Sequence, residues 1–224
     1  MAPYEREVSV PTGDDTVLKG NLTVPDGARG VVLFAHGSGS SRQSLRNRYV
    51  AGVLQQAGCA TLLIDLLTAE EEEAERWTRH LRFDIGLLAQ RLVGATYWLM
   101  HEPLTRHLPI GYFGASTGAA GALVAAAREP ERISAVVSRG GRPDLAGEEL
   151  TKVKAPTLLI VGDKDVPVIG MNQQAQQRLR VETKLELVAG ATHLFEEPGT
   201  LERVAELASH WFTRYFPAVA QPGT

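Results

Sequence analysis

The stretch Ile110-Gly111-Tyr112-Phe113-Gly114-Ala115-Ser116-Thr117-Gly118-Ala119-Ala120-Gly121 decides how this chain is read. It opens as a short apolar run of the kind that suits a strand buried on both faces. It closes into an alanine-rich helical pattern that runs from Thr117 to Arg128. Between the two lies Gly114-x-Ser116-x-Gly118. The bare pattern arises often by chance, so its placement carries the weight: a tight strand-to-helix turn with small residues on both sides forms a nucleophile elbow. The flanking glycines let the strand and helix backbones approach more closely than side chains permit. Ser116 then sits in strained backbone geometry at a helix N-terminus, where unspent N–H groups and the helix dipole favour developing negative charge. A serine that merely caps the helix is the plain alternative.

Outward from this turn, strand-like and helix-like patterns alternate. Residues 4–10 and 16–24 alternate in polarity around the Asp14-Asp15 turn and predict an opening antiparallel pair. Gly30 to Ala35, Ala60 to Ile64, Ile110 to Phe113 and Thr157 to Val161 read as buried strands, with Ile133 to Val137 and Lys184 to Val188 as two more. Amphipathic helical patterns cover Ser44 to Gln56, Phe83 to Met100, Thr117 to Arg128, Met171 to Arg180 and Leu201 to Tyr215. Such alternation predicts an α/β protein with a mostly parallel sheet, whose ligands sit beyond the carboxyl ends of the strands.

A serine hydroxyl is a weak nucleophile, so a base and an acid are needed in neighbouring loops. Of six histidines, His80, His101 and His107 read as surface residues and His210, in the last helix, as structural. His193, in the loop Gly190-Ala191-Thr192-His193 between the last strand and the last helix, is the candidate base. Asp163 and Asp165 both follow the strand that ends at Gly162, and spacing alone does not choose between them.

Four markers in order now carry a resemblance: His36-Gly37-Ser38-Gly39, the Ser116 elbow, Gly162-x-x-Asp165 and Gly190-Ala-Thr-His193. From about Val17 to Phe216 the chain resembles the α/β-hydrolases, and most the dienelactone-hydrolase-like branch, with serine where the namesake enzymes carry cysteine. The resemblance implies a central, mostly parallel sheet of about seven to eight strands, helices on both faces and no large lid domain. It selects Asp165 as the acid, giving the order Ser116, Asp165, His193. It also implies an oxyanion hole built from the backbone N–H groups of Ser38 and Thr117. The expected activity is that of a serine esterase on small, short-chain carboxylic esters. Thioesters, lactones or phosphotriesters at the same site are the alternative electrophiles, and a non-catalytic binding module is the alternative of another class.

Around the expected cleft, His36, Arg139 and Arg142 are candidate substrate contacts. His36 could instead shape its own loop, and the two arginines could form salt bridges with nearby acids. The segment Leu67 to Arg82 should overlook the site, with Leu81 and Phe83 either walling it or serving ordinary packing, and Glu70 to Glu73 as a solvated helix face.

Composition narrows the rest. The 224 residues carry a net charge of -3, with no basic surplus to draw in nucleic acid. The longest apolar stretch, Gly118 to Ala127, falls far short of the ~20 residues that a membrane span needs. Glu5, Arg6 and Glu7 stand where a secretory signal would be apolar, so a cytoplasmic location is expected. The one cysteine, Cys59, excludes an intrachain disulfide and reads as a core residue. No metal or organic cofactor is implied. One domain over 1–224 is expected, frayed after about 217, and both monomer and homodimer remain open.

Overall fold

The runs that are apolar from end to end form strands buried from end to end. These are β3 (Val31–Ala35), β4 (Ala60–Ile64), β5 (Ile110–Ala115) and β7 (Thr157–Gly162), with β6 (Ile133–Arg139) nearly so. In the computed structural model, which describes residues 4–13, 15–78 and 80–217, they join one eight-stranded sheet with β1 (Tyr4–Pro11), β2 (Val17–Val24) and β8 (Thr183–Val188). The order is β1-β2-β4-β3-β5-β6-β7-β8. β1 and β2 pair antiparallel, β2 joins β4 antiparallel with Leu22 opposite Leu62, and all later pairings are parallel. The expected sheet, of about seven to eight strands and mostly parallel, is the one observed.

Alternate side chains divide the core between the two faces. Val31, Leu33, Leu62, Tyr112 and Val136 pack with α3 (Ile85–His101) and α4 (Thr117–Arg128). Val32, Phe34, Phe113, Val137 and Ile160 pack on the other face with α1 (Leu45–Gln56) and α6 (Thr200–Tyr215). Each large apolar side chain buried in these layers contributes about 1.5–3 kcal/mol relative to exposure, so the frame that carries the strand ends is stiff. Cys59 lies in the second layer, fully buried, and burial pushes its thiol up to about 11 despite the nearby Arg29 charge.

Several elements differ from the expected ones. The acidic segment forms a helix, α2 (Ala69–Thr78), as its reading as a helix face expected, although no amphipathic pattern marked its bounds. Its start is a capping box: Glu71 N–H donates to Thr68 Oγ1 at 3.2 Å, and Thr68 N–H donates to Glu71 Oε2 at 2.8 Å. Nor is the run simply solvated, because Glu71 accepts from the buried Arg91 at 2.6 Å. The helix expected from Phe83 begins instead at Ile85, capped by Asp84 and preceded by a 3₁₀ turn over Leu81–Phe83. α5 (Val166–Arg178) starts five residues before the expected Met171, with Pro167 in its first turn, where a missing N–H costs nothing. Residues Pro143–Lys152 form 3₁₀ turns broken at Gly147. His210 is exposed, as are His80, His101 and His107. The tail after 217 and Asp14 of the first turn lie outside the described residues. No helix among the described residues is long and apolar enough to cross a membrane.

Candidate active site

Ser116 leaves the end of β5 with φ 52° and ψ -121°, a left-handed backbone that a non-glycine residue adopts only under constraint. The constraint is legible around it. A Cβ added at Gly114 would lie 2.4 Å from Ala119 Cα, and one at Gly118 would lie 2.3 Å from the carbonyl oxygens of Ala35 and His36. Only glycines let β5, α4 and the end of β3 meet this closely. Ser116 makes no side-chain cap to α4, which sets aside the capping alternative.

Two of the elbow's backbone groups are tied to the loop after β6. Ser116 N–H donates to the Arg139 carbonyl and Arg142 N–H donates to the Ser116 carbonyl, both at 3.2 Å. The same loop meets His193, since a Cβ at Gly140 would lie 3.5 Å from the ring's Nδ1 and Cε1. Ser116 Oγ itself has no hydrogen-bonding partner among the described residues.

Of the two candidate acids, Asp165 Oδ2 lies 2.6 Å from His193 Nδ1, while Asp163 Oδ1 accepts from Gly190 N–H at 2.8 Å. The turn after Gly162 thus aims the carboxylates at different targets, Asp165 at the ring and Asp163 at the backbone of the histidine loop. That loop is held at several points. Thr192 donates to Glu197 through both N–H and hydroxyl, Arg46 reaches Glu196 at 2.9 Å, and Phe195 is buried with a left-handed φ of 56°. The Thr192 hydroxyl, above all, holds the Glu197 carboxyl below its usual range.

A model of the dienelactone hydrolase family matches residues 18–218. The chain belongs to this family. A dienelactone hydrolase from Anabaena variabilis is 65% identical, covers 97% of this chain and 100% of its own, and superposes with a TM-score of 0.95. A protein known from two strains of Mycobacterium tuberculosis, provisionally named a phosphoribosyl transferase, is 60% identical over 208 residues, or 93% of this chain. The chain spans about half, 46%, of the length of those relatives. An esterase of Pyrococcus furiosus shares the fold at 19% identity, with 96% of this chain and 94% of its own covered and a TM-score of 0.77.

Within this dienelactone hydrolase fold the remaining expected residues separate clearly. His36 is buried and spends both ring nitrogens on backbone: Nδ1 lies 2.9 Å from the Gly37 carbonyl and Nε2 accepts from Leu66 N–H at 2.9 Å. Burial lowers its pKa, so it is a neutral brace between the Ser38 loop and the end of β4, with no nitrogen left for substrate. Arg142 forms a two-pronged pair with Asp144, at 2.9 and 2.8 Å, as the salt-bridge alternative expected. Arg139 does otherwise. It is only 8% exposed, its Nε and one terminal nitrogen are buried without an acceptor, and its guanidinium lies 5.9 Å from the Phe195 ring centroid. Burial, with the nearby Arg46 charge, brings its pKa down to about 10.

A small cavity beside the elbow is lined by His36, Ser38, Leu67, Glu72, Arg82 and Thr117, among others, and by neither Ser116 nor His193. Phe83 is exposed. Sequence reasoning missed Glu75, which shapes this wall from behind. Its fully buried carboxylate accepts from the backbone N–H groups of His80, Leu81 and Arg82 and from Arg82 Nε at 2.7 Å. Burial works to raise its pKa, yet the Arg82 side chain and these N–H groups hold it down at about 2. The Ser38 N–H, expected to face an oxyanion, donates instead to Thr117 Oγ1 at 3.0 Å. Among the described residues no group of three or more His, Cys, Asp or Glu side chains is placed to hold a metal ion.

Proposed function

We propose that the protein is a serine hydrolase that cleaves small carboxylic esters through an acyl-enzyme on Ser116. The observation that carries this reading is the strained Ser116 turn at the mouth of α4, flanked by a loop that also touches the His193 ring, itself 2.6 Å from Asp165. A binding module needs neither the strain nor the Asp165–His193 hydrogen bond, and strain of this kind costs on the order of 1–3 kcal/mol to maintain.

His193 Nε2 takes the Ser116 proton as Oγ attacks the ester carbonyl carbon. Asp165 holds Nδ1–H and stabilises the imidazolium that results. The carbonyl oxygen, now negative, rests between the start of α4 and the Ser38 loop. Collapse breaks the bond to the leaving oxygen, which receives the proton from His193. A water repeats the sequence on the acyl-enzyme, releasing the carboxylic acid and restoring Ser116. A lactone is an ester whose leaving oxygen stays tethered, and the family that the chain belongs to favours it as the second reading. Phosphoribosyl transfer is named for proteins about twice this length, and nothing in the Ser116 site calls for it.

The test is stopped-flow hydrolysis of p-nitrophenyl acetate by the wild type and Ser116→Ala. A burst of about one p-nitrophenol per chain is expected from the wild type, and a loss of roughly three orders of magnitude or more from the variant. Retention of more than about a tenth of the activity would show that Ser116 is not the nucleophile.

A further inference from the structure

The two backbone donors expected to receive the oxyanion are not equally free. Thr117 N–H opens the first turn of α4, where no intrahelical carbonyl reaches it, and it has no other acceptor among the described residues. Ser38 N–H is already spent on Thr117 Oγ1 at 3.0 Å. The hydroxyl oxygen is therefore filled from one side. Its own hydrogen has no acceptor among the described residues, although Thr117 is only 2% exposed. A buried hydroxyl that accepts and does not donate is an unfinished chain of hydrogen bonds. Thr117 lines a small cavity together with Ser38 and Gly37, and that cavity adjoins the elbow, since a Cβ at Gly37 would lie 3.1 Å from Ser116 Cβ.

We propose that the Thr117 hydroxyl is itself an oxyanion donor, so that the negative oxygen is received by the N–H and the O–H of a single residue. Ser38 N–H acts one bond further back: by donating to Oγ1 it polarises the hydroxyl and strengthens the bond that Thr117 gives. No proton leaves Thr117; its hydrogen bond forms as the carbonyl oxygen becomes negative and lapses when the carbonyl is restored. This inference rests on Ser116 as nucleophile and specifies the group that stabilises its transition state. The rival is a plug, in which Thr117 merely blocks a Ser38 N–H that substrate must uncover.

The experiment compares wild type, Thr117→Val, Thr117→Ala and Thr117→Ser on p-nitrophenyl acetate. It adds inhibition by phenylboronic acid, whose tetrahedral adduct with Ser116 places an oxygen where the oxyanion forms. Losing one oxyanion donor costs about a hundredfold to a thousandfold in kcat, so Thr117→Val is expected to lose about tenfold or more in kcat with little change in KM. The boronic acid Ki should rise in step, and Thr117→Ser should retain most of the rate. Thr117→Ala removes the hydroxyl without adding bulk and carries the same test should the valine variant not fold. A kcat that falls less than about tenfold, or rises as a plug requires, overturns the inference. So does a fall with an unchanged Ki, or a serine variant no better than valine. A wild type that turns over no ester and whose Ser116 is not labelled by a p-nitrophenyl phosphonate sinks the hydrolase reading as well. An active, labelled wild type with an unaffected valine variant sinks only the role of the hydroxyl.

Discussion

Asp165→Asn and Asp163→Asn form a matched pair, because the two carboxylates leave one turn for different partners. Asp165 accepts from His193 Nδ1 at 2.6 Å, and an asparagine there can turn its amide N–H toward the ring. Nδ1 then becomes the acceptor, the ring proton moves to Nε2, and the nitrogen that should receive the Ser116 proton is already occupied. The same change in a comparable triad costs about four orders of magnitude in kcat, which is about 5 kcal/mol of transition-state stabilisation. Asp163 differs in kind. Its partner is the Gly190 N–H at 2.8 Å, and an asparagine carbonyl oxygen still accepts that bond. What is lost is the charge on an exposed acceptor, so Asp163→Asn should keep kcat within about threefold and cost about 1 kcal/mol of stability. Steady-state kcat on p-nitrophenyl acetate, with thermal melts on both variants, measures the pair. Equal losses, or a larger loss for Asp163→Asn, would refute the assignment of Asp165 while leaving Ser116 and His193 in place.

Two further outcomes follow from buried groups. His36 is held neutral with its folded pKa lowered, so the unfolded chain binds a proton that the folded one refuses as pH falls below about 6.5. Its contribution is present above that pH and is lost below it, by at most about 1.4 kcal/mol per pH unit; Tm measured from pH 7.5 to 5 should fall more steeply for the wild type than for His36→Gln, and parallel curves would refute the neutral brace. Cys59→Ala should leave turnover of aryl esters unchanged, since the thiol is buried, far from ionising at neutral pH and remote from the cleft; loss of activity in a folded variant would reopen a thiol mechanism.

The fold was legible wherever burial writes itself into the sequence. β3, β4, β5 and β7 are apolar throughout because both faces are covered, and the Gly114-x-Ser116-x-Gly118 turn stands out because close backbone contact admits nothing else. The bounds and the anchoring of α2 escaped because it has no apolar stripe to mark them; it rests on the Thr68–Glu71 box and the Glu71–Arg91 pair. The Thr68-x-x-Glu71 signature was there to be read, whereas Arg91 lies twenty residues away in sequence. α5 was expected five residues late, although Pro167 in the first turn of a helix is a favoured start. Arg139 and Arg142 look alike on paper and part company in space, because the Asp144 that claims Arg142 is local and the Phe195 that covers Arg139 is not. The spent Ser38 N–H depends on a side-chain rotamer at Thr117, which no spacing encodes.

The Glu75 carboxylate gathers three successive backbone N–H groups and the Arg82 side chain onto one buried point behind the cleft. The position of Arg82 in the cavity wall is thus held by a side chain that does not itself line the cavity. A mutant library confined to residues lining the cleft would vary the texture of that wall and leave its position fixed. Changing Glu75, or the length of chain between it and Arg82, moves the wall as a piece. For anyone redirecting this scaffold toward larger substrates, the adjustable hinge is a carboxylate hidden one layer below the surface they would otherwise redesign.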